Sequence, residues 1–413
     1  MEKAKPKIRL WSKYFILICI VSLLGNTVIF MLDNTLSFYA SDVWSSKSAA
    51  GLLTTTFTAG SITAAALIGN VVDRVGRRKI LLVGLGCLAV GIGAMLITDA
   101  VWFNMCCRVL QGVGKGIFGV AGMSVAADII PRDRMGEGMG YFGLGGTLAQ
   151  AIGPSLGMVI IANRNYDLLF GSNFGIYVAA IIIALFLSYE KKGDYAAKLE
   201  EAEQETPVVS SGPYRGVWKL FEKGAVCSGA AAFFYGSGCT GILIFLTLYA
   251  SEVLEIANPG SFFTVAAAAM LVTRLFVGKI VDRRGVLGVV TAGFIFAILC
   301  NLGVIYCGGN YILFLVCGVL YGLSMAFIYP ALCAAIIIDS PKDRKGVANS
   351  TLGFLLDGGI LIASALMGVV AEKLGYNVMF ITAAVLNCVG VVITVLFLNN
   401  SYRAKLRKKL GVE

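Results

Sequence analysis

Long apolar runs separated by short polar breaks dominate the chain. Runs of about 20 residues or more occupy 14–36, 49–69, 80–98, 103–129, 137–160 and 171–189, and after a polar interval 225–250, 259–281, 287–307, 311–338, 347–371 and 377–398. Within each run the apolar residues are continuous rather than alternating. That pattern predicts helices and not barrel strands, because across lipid a helix satisfies its own backbone. The expected fold is all-α, with twelve transmembrane helices in two pseudo-symmetric six-helix bundles, 1–189 and 225–398. Residues 190–224 form the one long polar segment, whose charges nearly cancel and part of which interleaves Glu and Lys as a helix would; it reads as a cytoplasmic tether. Residues 399–413 form a basic cytoplasmic tail. The first run is too long for a cleavable signal peptide, carries Asp33 and lacks a small-residue cleavage site.

Composition supplies the solvent. With 58% hydrophobic and 14% charged residues, the chain is more apolar than a soluble domain of this length can bury. The formal charge of +10 resembles a nucleic-acid signature until the charges are placed. Of the 34 Lys and Arg, Lys47, Arg164 and Lys373 fall on one side and Arg108, Lys115 and Arg274 within runs. All the others gather on the side shared by the N-terminus, the central segment and the C-terminus, so both termini are expected to be cytoplasmic in a plasma-membrane protein. The partners are then lipid and a small molecule rather than nucleic acid. The basic tail from Arg403 to Lys409 reads as a topology anchor touching anionic headgroups. Eleven scattered cysteines, never spaced C-x-x-C, read as small core residues rather than bridges or metal ligands. Histidine is absent, so protons carried by the protein must ride mainly on carboxylates.

One short motif occurs twice. Gly69, Asp73, Arg74, Gly76, Arg77, Arg78 and Lys79 lie between the second and third runs, and Gly278, Asp282, Arg283, Arg284 and Gly285 lie between the eighth and ninth. Tyr39-Ala40-Ser41 returns as Tyr249-Ala250-Ser251, and the Pro131 to Gly136 segment returns as Pro341 to Gly346. Three anchors share an offset of 209 or 210 residues (Tyr39 to Tyr249, Asp73 to Asp282, Pro131 to Pro341). The chain is therefore a tandem duplication, a build typical of secondary transporters.

The tandem motif, six plus six spans and cytoplasmic termini together resemble the major facilitator superfamily, over essentially the whole chain. The resemblance implies that Asp73 caps the start of the eleventh helix, near Gly346 to Asn349, and helps latch the halves when the cavity faces outward. It makes Asp128 the partner of Arg77. The second copy, with Asp282, lacks the basic pair after Gly285 and implies a weaker latch. Arg108, Gln111, Gly112 and Gly114 in the fourth run are similar to the family's membrane-embedded arginine motif, which assists proton transfer in proton-coupled members. Gly140, Gly153, Pro154 and Gly157 in the fifth run resemble the antiporter motif of drug/proton exporters. Ala149 and Met158 stand where that pattern has glycine, and a glycine stripe that only packs two helices is the alternative.

Ionisable residues inside the runs carry the candidate chemistry, since each costs at least about 2.5 kcal/mol in hydrocarbon and is expected to face a cavity or a partner. Asp33 lies toward the outer end of the first run, one heptad after Asn26. Arg108 lies about 9 Å in from the outer end of the fourth by helical rise. In the family both helices line the central cavity, so an Asp33–Arg108 pair that opens on protonation or substrate entry is expected; a static ion pair is the alternative. Lys115 shares the Arg108 and Gln111 face near mid-membrane and calls for an anionic or polar counterpart, either on the substrate or an internal acid. Arg274 and Asp357, about 12 Å and 16 Å from their cytoplasmic ends, are placed to pair as a gate or as a clamp. Tyr235, Tyr321 and Tyr329 fall on helices that line the cavity by family analogy and suit an amphipathic substrate, with packing the alternative. Pro330 frees a backbone carbonyl and supplies a bend.

The expectation is a proton-coupled exporter of small organic molecules, multidrug or metabolite, working by alternating access as a monomer, with no cofactor beyond the proton gradient. Proton-linked or facilitated uptake of a sugar or other metabolite is the alternative. A transport-dead receptor and a membrane-embedded enzyme stand further off. The chain has no catalytic-triad composition, no metal-ligand cluster and no Gly-x-x-x-x-Gly-Lys-Ser/Thr phosphate loop.

Overall fold

The computed structural model describes residues 10–131, 134–189, 221–341, 344–399, 404 and 408; within these, the side chains of residues 69–74, 136, 275, 278, 279, 282, 284, 337, 345 and 346 are left out. Among the described residues the regular structure is helical throughout. The helices are α1 Lys13–Trp44, α2 Lys47–Val75, α3 Arg77–Ala94, α4 Val101–Ile129, α5 Met135–Ile160 and α6 Tyr166–Leu185. A 3-10 turn, Lys223–Ala225, leads into α7, Val226–Glu252. The next helix, Ser261–Tyr306, is broken at Gly285, and its limbs before and after that residue are α8 and α9. Then follow α10 Tyr311–Asp339, α11 Lys345–Lys373 and α12 Tyr376–Phe397. Among the described residues, nine of these rods are long and apolar enough to cross a membrane; the apolar part of α8, Ser261–Arg274, is shorter.

The duplication reappears in the backbone. Gly76 between α2 and α3 has φ 103° and Gly285 between α8 and α9 has φ 74°. Both motif copies therefore turn on a positive-φ, extended-ψ conformation that is essentially open to glycine alone and costs another residue about 1–3 kcal/mol, which is why glycine stands at both corners.

Helix ends run further than the apolar pattern predicts. The run at 14–36 becomes a helix reaching Trp44, and Thr35 and Ser37, on either side of the run's end, are both buried. These hydroxyls fold back on their own helix, Thr35 Oγ1 donating to Met31 O at 2.8 Å and Ser37 Oγ to Asn34 O at 3.2 Å. A polar residue that satisfies itself in this way does not end a buried helix.

The chain divides into two compact units whose boundary is not the boundary of the repeat. Unit 1 comprises residues 1–30, 59–153 and 164–206; unit 2 comprises 31–58, 154–163 and 207–413. In unit 1, α3 and α4 meet where a Cβ on Gly84 would press on Gly114 O and Phe118 N, and a Cβ on Gly116 would press on Ser61 O of α2. Small residues let backbones touch where lipid offers no hydrophobic drive between helices.

In unit 2 the same device joins α7 to α11. Ser237 Oγ donates to Phe233 O and Gly359 O at 2.8 and 3.2 Å, and a Cβ at Gly359 would overlap Phe233 O. Neither backbone can give locally, so Gly359→Val is expected to cost about 1–3 kcal/mol and to lower the melting temperature of the purified protein. Gly353→Val, on the same helix with open space around it, should melt near wild type. Equal melting of the two variants would mean that α7 and α11 are not closely packed.

Candidate functional site

In unit 1 the polar residues of α4 part company. Arg108 is 1% exposed and donates from Nη1 to Gln111 Oε1 at 2.9 Å. Gln111 faces α3, where its Nε2 reaches Met95 Sδ at 3.3 Å and its Cγ occupies the room left by Gly91. Lys115, one turn further on and half-buried, instead lines a cavity of about 220 Å³. Asn26 and Ser22 of α1 line the same cavity, with Asn26 Nδ2 donating to Ser22 O at 2.7 Å. The structure thus brings Lys115 and Asn26 to one cavity, and sets Arg108 and Gln111 together in the α3–α4 contact.

The motif between α2 and α3 is built on Gly76, the N-cap residue of α3. Arg77, the first residue of α3, makes an ion pair with Asp128 near the end of α4, the pairing that the family resemblance implies. Tyr189 Oη donates to the second oxygen of Asp128 at 3.3 Å, and Arg78 donates to Leu185 O. The loop is thereby tied to both α4 and the end of α6. The surroundings of Gly69 and the side chains of Asp73 and Asp282 lie outside the described residues.

Unit 2 gathers a polar seam at one rim. Glu372, near the end of α11, accepts from Ser48 N at 2.7 Å and Ser46 Oγ at 3.0 Å, and so caps the first turn of α2. A carboxylate at a helix N-terminus meets both orphan donors and the positive end of the dipole. Glu252, at the end of α7, accepts from Ser41 Oγ at 3.3 Å and Tyr376 Oη at 3.2 Å. The Lys47 ammonium lies 4.0 Å from the Tyr376 ring centroid. Deeper in, Thr55 and Ser364 hydroxyls meet at 2.8 Å, and at the exposed start of α8 Ser155 meets Thr264 at 2.6 Å and Gly260 O at 3.0 Å. Segments 31–58 and 154–163 of the first repeat are fastened to α7, α8 and α11 by these contacts. The resulting bonds are short-range, polar and exchangeable with water.

The antiporter-like residues join this seam in part. Pro154 and Gly157 belong to unit 2, where Gly157 lets α5 lie against Met31 and Thr35 of α1. Gly153 is buried at the end of the unit 1 segment, and Gly140 is exposed with open space beside it. Asp33 is half-buried in the unit 2 part of α1, next to Asn34, whose carbonyl accepts from Thr247 Oγ1 at 3.0 Å.

The three tyrosines divide between packing and exposure. Tyr321 is 2% exposed and walled by Phe262 and Phe263. Tyr235 packs on Phe294 and receives a bond from Ser324 Oγ at 3.4 Å. Tyr329 is 37% exposed, beside Cys333 and within electrostatic reach of Asp357, which is half-buried. Arg274 is exposed.

Two features escape a sequence reading. Glu252 and Glu372 close apolar runs, where an acid ordinarily marks only the start of a loop. Glu222, at the end of the polar segment, is fully buried and ion-paired with Arg344. The last residues of 190–224 are therefore docked structure rather than tether, and residues 190–220 lie outside the described residues. A signal existed for Arg344, which closes the repeated Pro-x-Asp-Arg anchor, but its partner lies outside the repeat.

A duplicated helical chain with ionisable groups and a cavity inside spans of membrane length has the form of a small-molecule carrier. The sequence profile of the Major Facilitator Superfamily matches residues 15–332 and 260–413, and the chain belongs to that family; it is a transporter of small molecules, not an enzyme. It is 27% identical over 349 residues to the staphylopine export protein of Staphylococcus aureus, covering 79% of this chain and 82% of that one. To the multidrug resistance protein MdtG of Escherichia coli it is 23% identical over 324 residues, 76% of each chain. Among solved structures the nucleoside transporter NupG superposes with a TM-score of 0.72 at 12% identity, over 94% of this chain and 100% of that one, a likeness of fold.

Proposed function

We propose that the protein is a proton-coupled exporter of small organic molecules in the plasma membrane, with twelve spans in two six-helix bundles and both termini in the cytoplasm. It works as a monomer by alternating access, draws on the proton gradient and holds no cofactor. The observation that carries this reading is the rim seam of unit 2. On the positive-inside assignment that rim is the outer one, and hydroxyls, glycines and two carboxylates fasten it. Bonds of this kind cost little to exchange for water, which suits a gate that must open on every cycle. Export is favoured over uptake by the relatives named for export and for drug resistance, and by the Pro154 and Gly157 part of the antiporter pattern. Uptake remains the second reading on a specific ground, because Ala149 and Met158 break that pattern.

The test is flux in proteoliposomes of known orientation, with pH gradients imposed in either direction and a panel of labelled drugs, sugars and organic acids. Movement of at least one compound against its own gradient, opposite in direction to the proton flow and abolished by a protonophore, is expected. Movement in the same direction as protons would establish uptake. Flux indifferent to the pH gradient would end the proton-coupled reading.

A further inference from the structure

The cavity in unit 1 has an unusual electrostatic composition for a pocket within a membrane helix bundle. Among the described residues lining it, Lys115 is the one charge, and the polar company is Asn26 and Ser22. The remaining wall is apolar or bare, with Phe118 and Phe142 rings and glycines of α4 and α5. Phe118 is held in place by α1, because its ring tip occupies the position where a Cβ on Gly25 would lie. The glycines do not serve packing here. A Cβ built at Gly119, Gly143 or Gly146 meets nothing within 4 Å, so bare backbone borders open space where larger side chains would fill the cavity.

An ammonium that borders such a cavity can make a charge-assisted contact, stronger than a neutral hydrogen bond, with an anionic group brought into that space. The lining, rich in rings and open glycine faces, fits an apolar body attached to such a group. We infer that this cavity is the anion-accepting half of the substrate site. Lys115 makes the charge-assisted contact, Asn26 and Ser22 flank it, and the Phe118 and Phe142 rings and the glycine faces hold the apolar part. The substrate class is then a small organic acid, carboxylate or phosphonate, carried as the anion. This rests on the transporter reading above and deepens it by naming what is carried.

Three probes of equal ring size separate the possibilities: benzoate, benzyl alcohol and benzylammonium, each added to the full chain in lipid nanodiscs at millimolar concentration, with the melting temperature as readout. Benzoate is expected to stabilise most, and benzylphosphonate should do the same if the site reads an oxyanion rather than a carboxylate shape. Lys115→Gln should weaken the benzoate effect by roughly tenfold or more, the size of a charge-assisted hydrogen bond, while Lys115→Arg keeps most of it. Gly146→Val, which has space for its side chain, should retain the unliganded melting temperature and lose the benzoate response. The inference is overturned if the three probes stabilise equally, if none stabilises, or if Lys115→Gln responds as wild type does. The last outcome would confine Lys115 to contacts within the protein. Binding needs no transport, so benzoate binding alongside flux indifferent to the pH gradient would sink the proton-coupled export reading and spare the subsite. Proton-driven flux unaffected by Lys115→Gln would do the reverse.

Discussion

Glu222→Ala is expected to destabilise the protein by about 3–5 kcal/mol, the usual loss when one partner of a buried ion pair is removed. Glu222 is fully buried, and its Oε2 accepts from Arg344 Nε. Its Oε1 accepts from Gly224 N at 3.3 Å and its backbone N donates to Thr351 Oγ1 at 3.0 Å, while Arg344 Nη2 holds Phe221 O at 3.2 Å. Arg344 is the N-cap residue of α11, where the helix dipole disfavours a cation, so Glu222 offsets an unfavourable placement as well as the burial. Alanine would leave a guanidinium with 9% side-chain exposure facing the helix's positive end. Glu222→Gln keeps acceptor and shape and should fall between. The double variant Glu222→Ala/Arg344→Met should recover a substantial part of the loss, because an apolar replacement for both partners removes the stranded charge. Thermal unfolding in detergent checks all three. A single-alanine variant within about 0.5 kcal/mol of wild type would mean that the docking of residues 221–225 onto α11 contributes nothing to stability.

That pair marks the limit of what the sequence reveals. Helix positions were legible because lipid demands long apolar runs, and the corners at Gly76 and Gly285 because the motif repeats with its glycines. The Arg77–Asp128 pair was legible only through family resemblance, since no spacing rule links residues on different helices. Glu222 was not, because its segment is polar and charge-balanced, as a solvated linker would be. Lys115 was singled out by its depth and its helical spacing from Arg108 and Gln111, and its separation from them depends on which side of α4 faces α3. The 3 and 4 spacing put all three on one face. The structure turns Gln111 into the room beside Gly91 and leaves Lys115 at the cavity, a distinction of rotamer and neighbour that helical periodicity does not encode. The division of α1 between the two units was likewise invisible, because the contacts that accompany it, such as the fit of Gly157 against Met31 and Thr35, join residues over 100 apart along the chain.

Asp33→Asn is expected to abolish gradient-driven transport while leaving exchange intact. Asp33 sits half-buried between Leu32 and Asn34, in the part of α1 that Thr247 and Gly157 bind into unit 2. A charged side chain placed at membrane depth costs at least about 2.5 kcal/mol, equivalent to roughly 70-fold in a two-state equilibrium. On the proton-coupled reading proposed above, protonation weights the conformation in which that stretch of α1 is driest and deprotonation the one in which it is wet, the differential such coupling requires. Asparagine is nearly isosteric with the protonated acid and cannot ionise, so the variant is fixed in one protonation state. Proton-driven accumulation in proteoliposomes should fall by at least roughly tenfold, whereas counterflow of labelled against unlabelled substrate, which requires only the loaded carrier to reorient, should persist. Folding is not the cause if Asp33→Asn melts near wild type, as expected for a half-buried, isosteric change. Retention of gradient-driven accumulation in this variant would remove Asp33 from the coupling step and move it to the remaining intramembrane acid on α11, Asp357, whose position beside the exposed Tyr329 makes it the next carboxylate to replace.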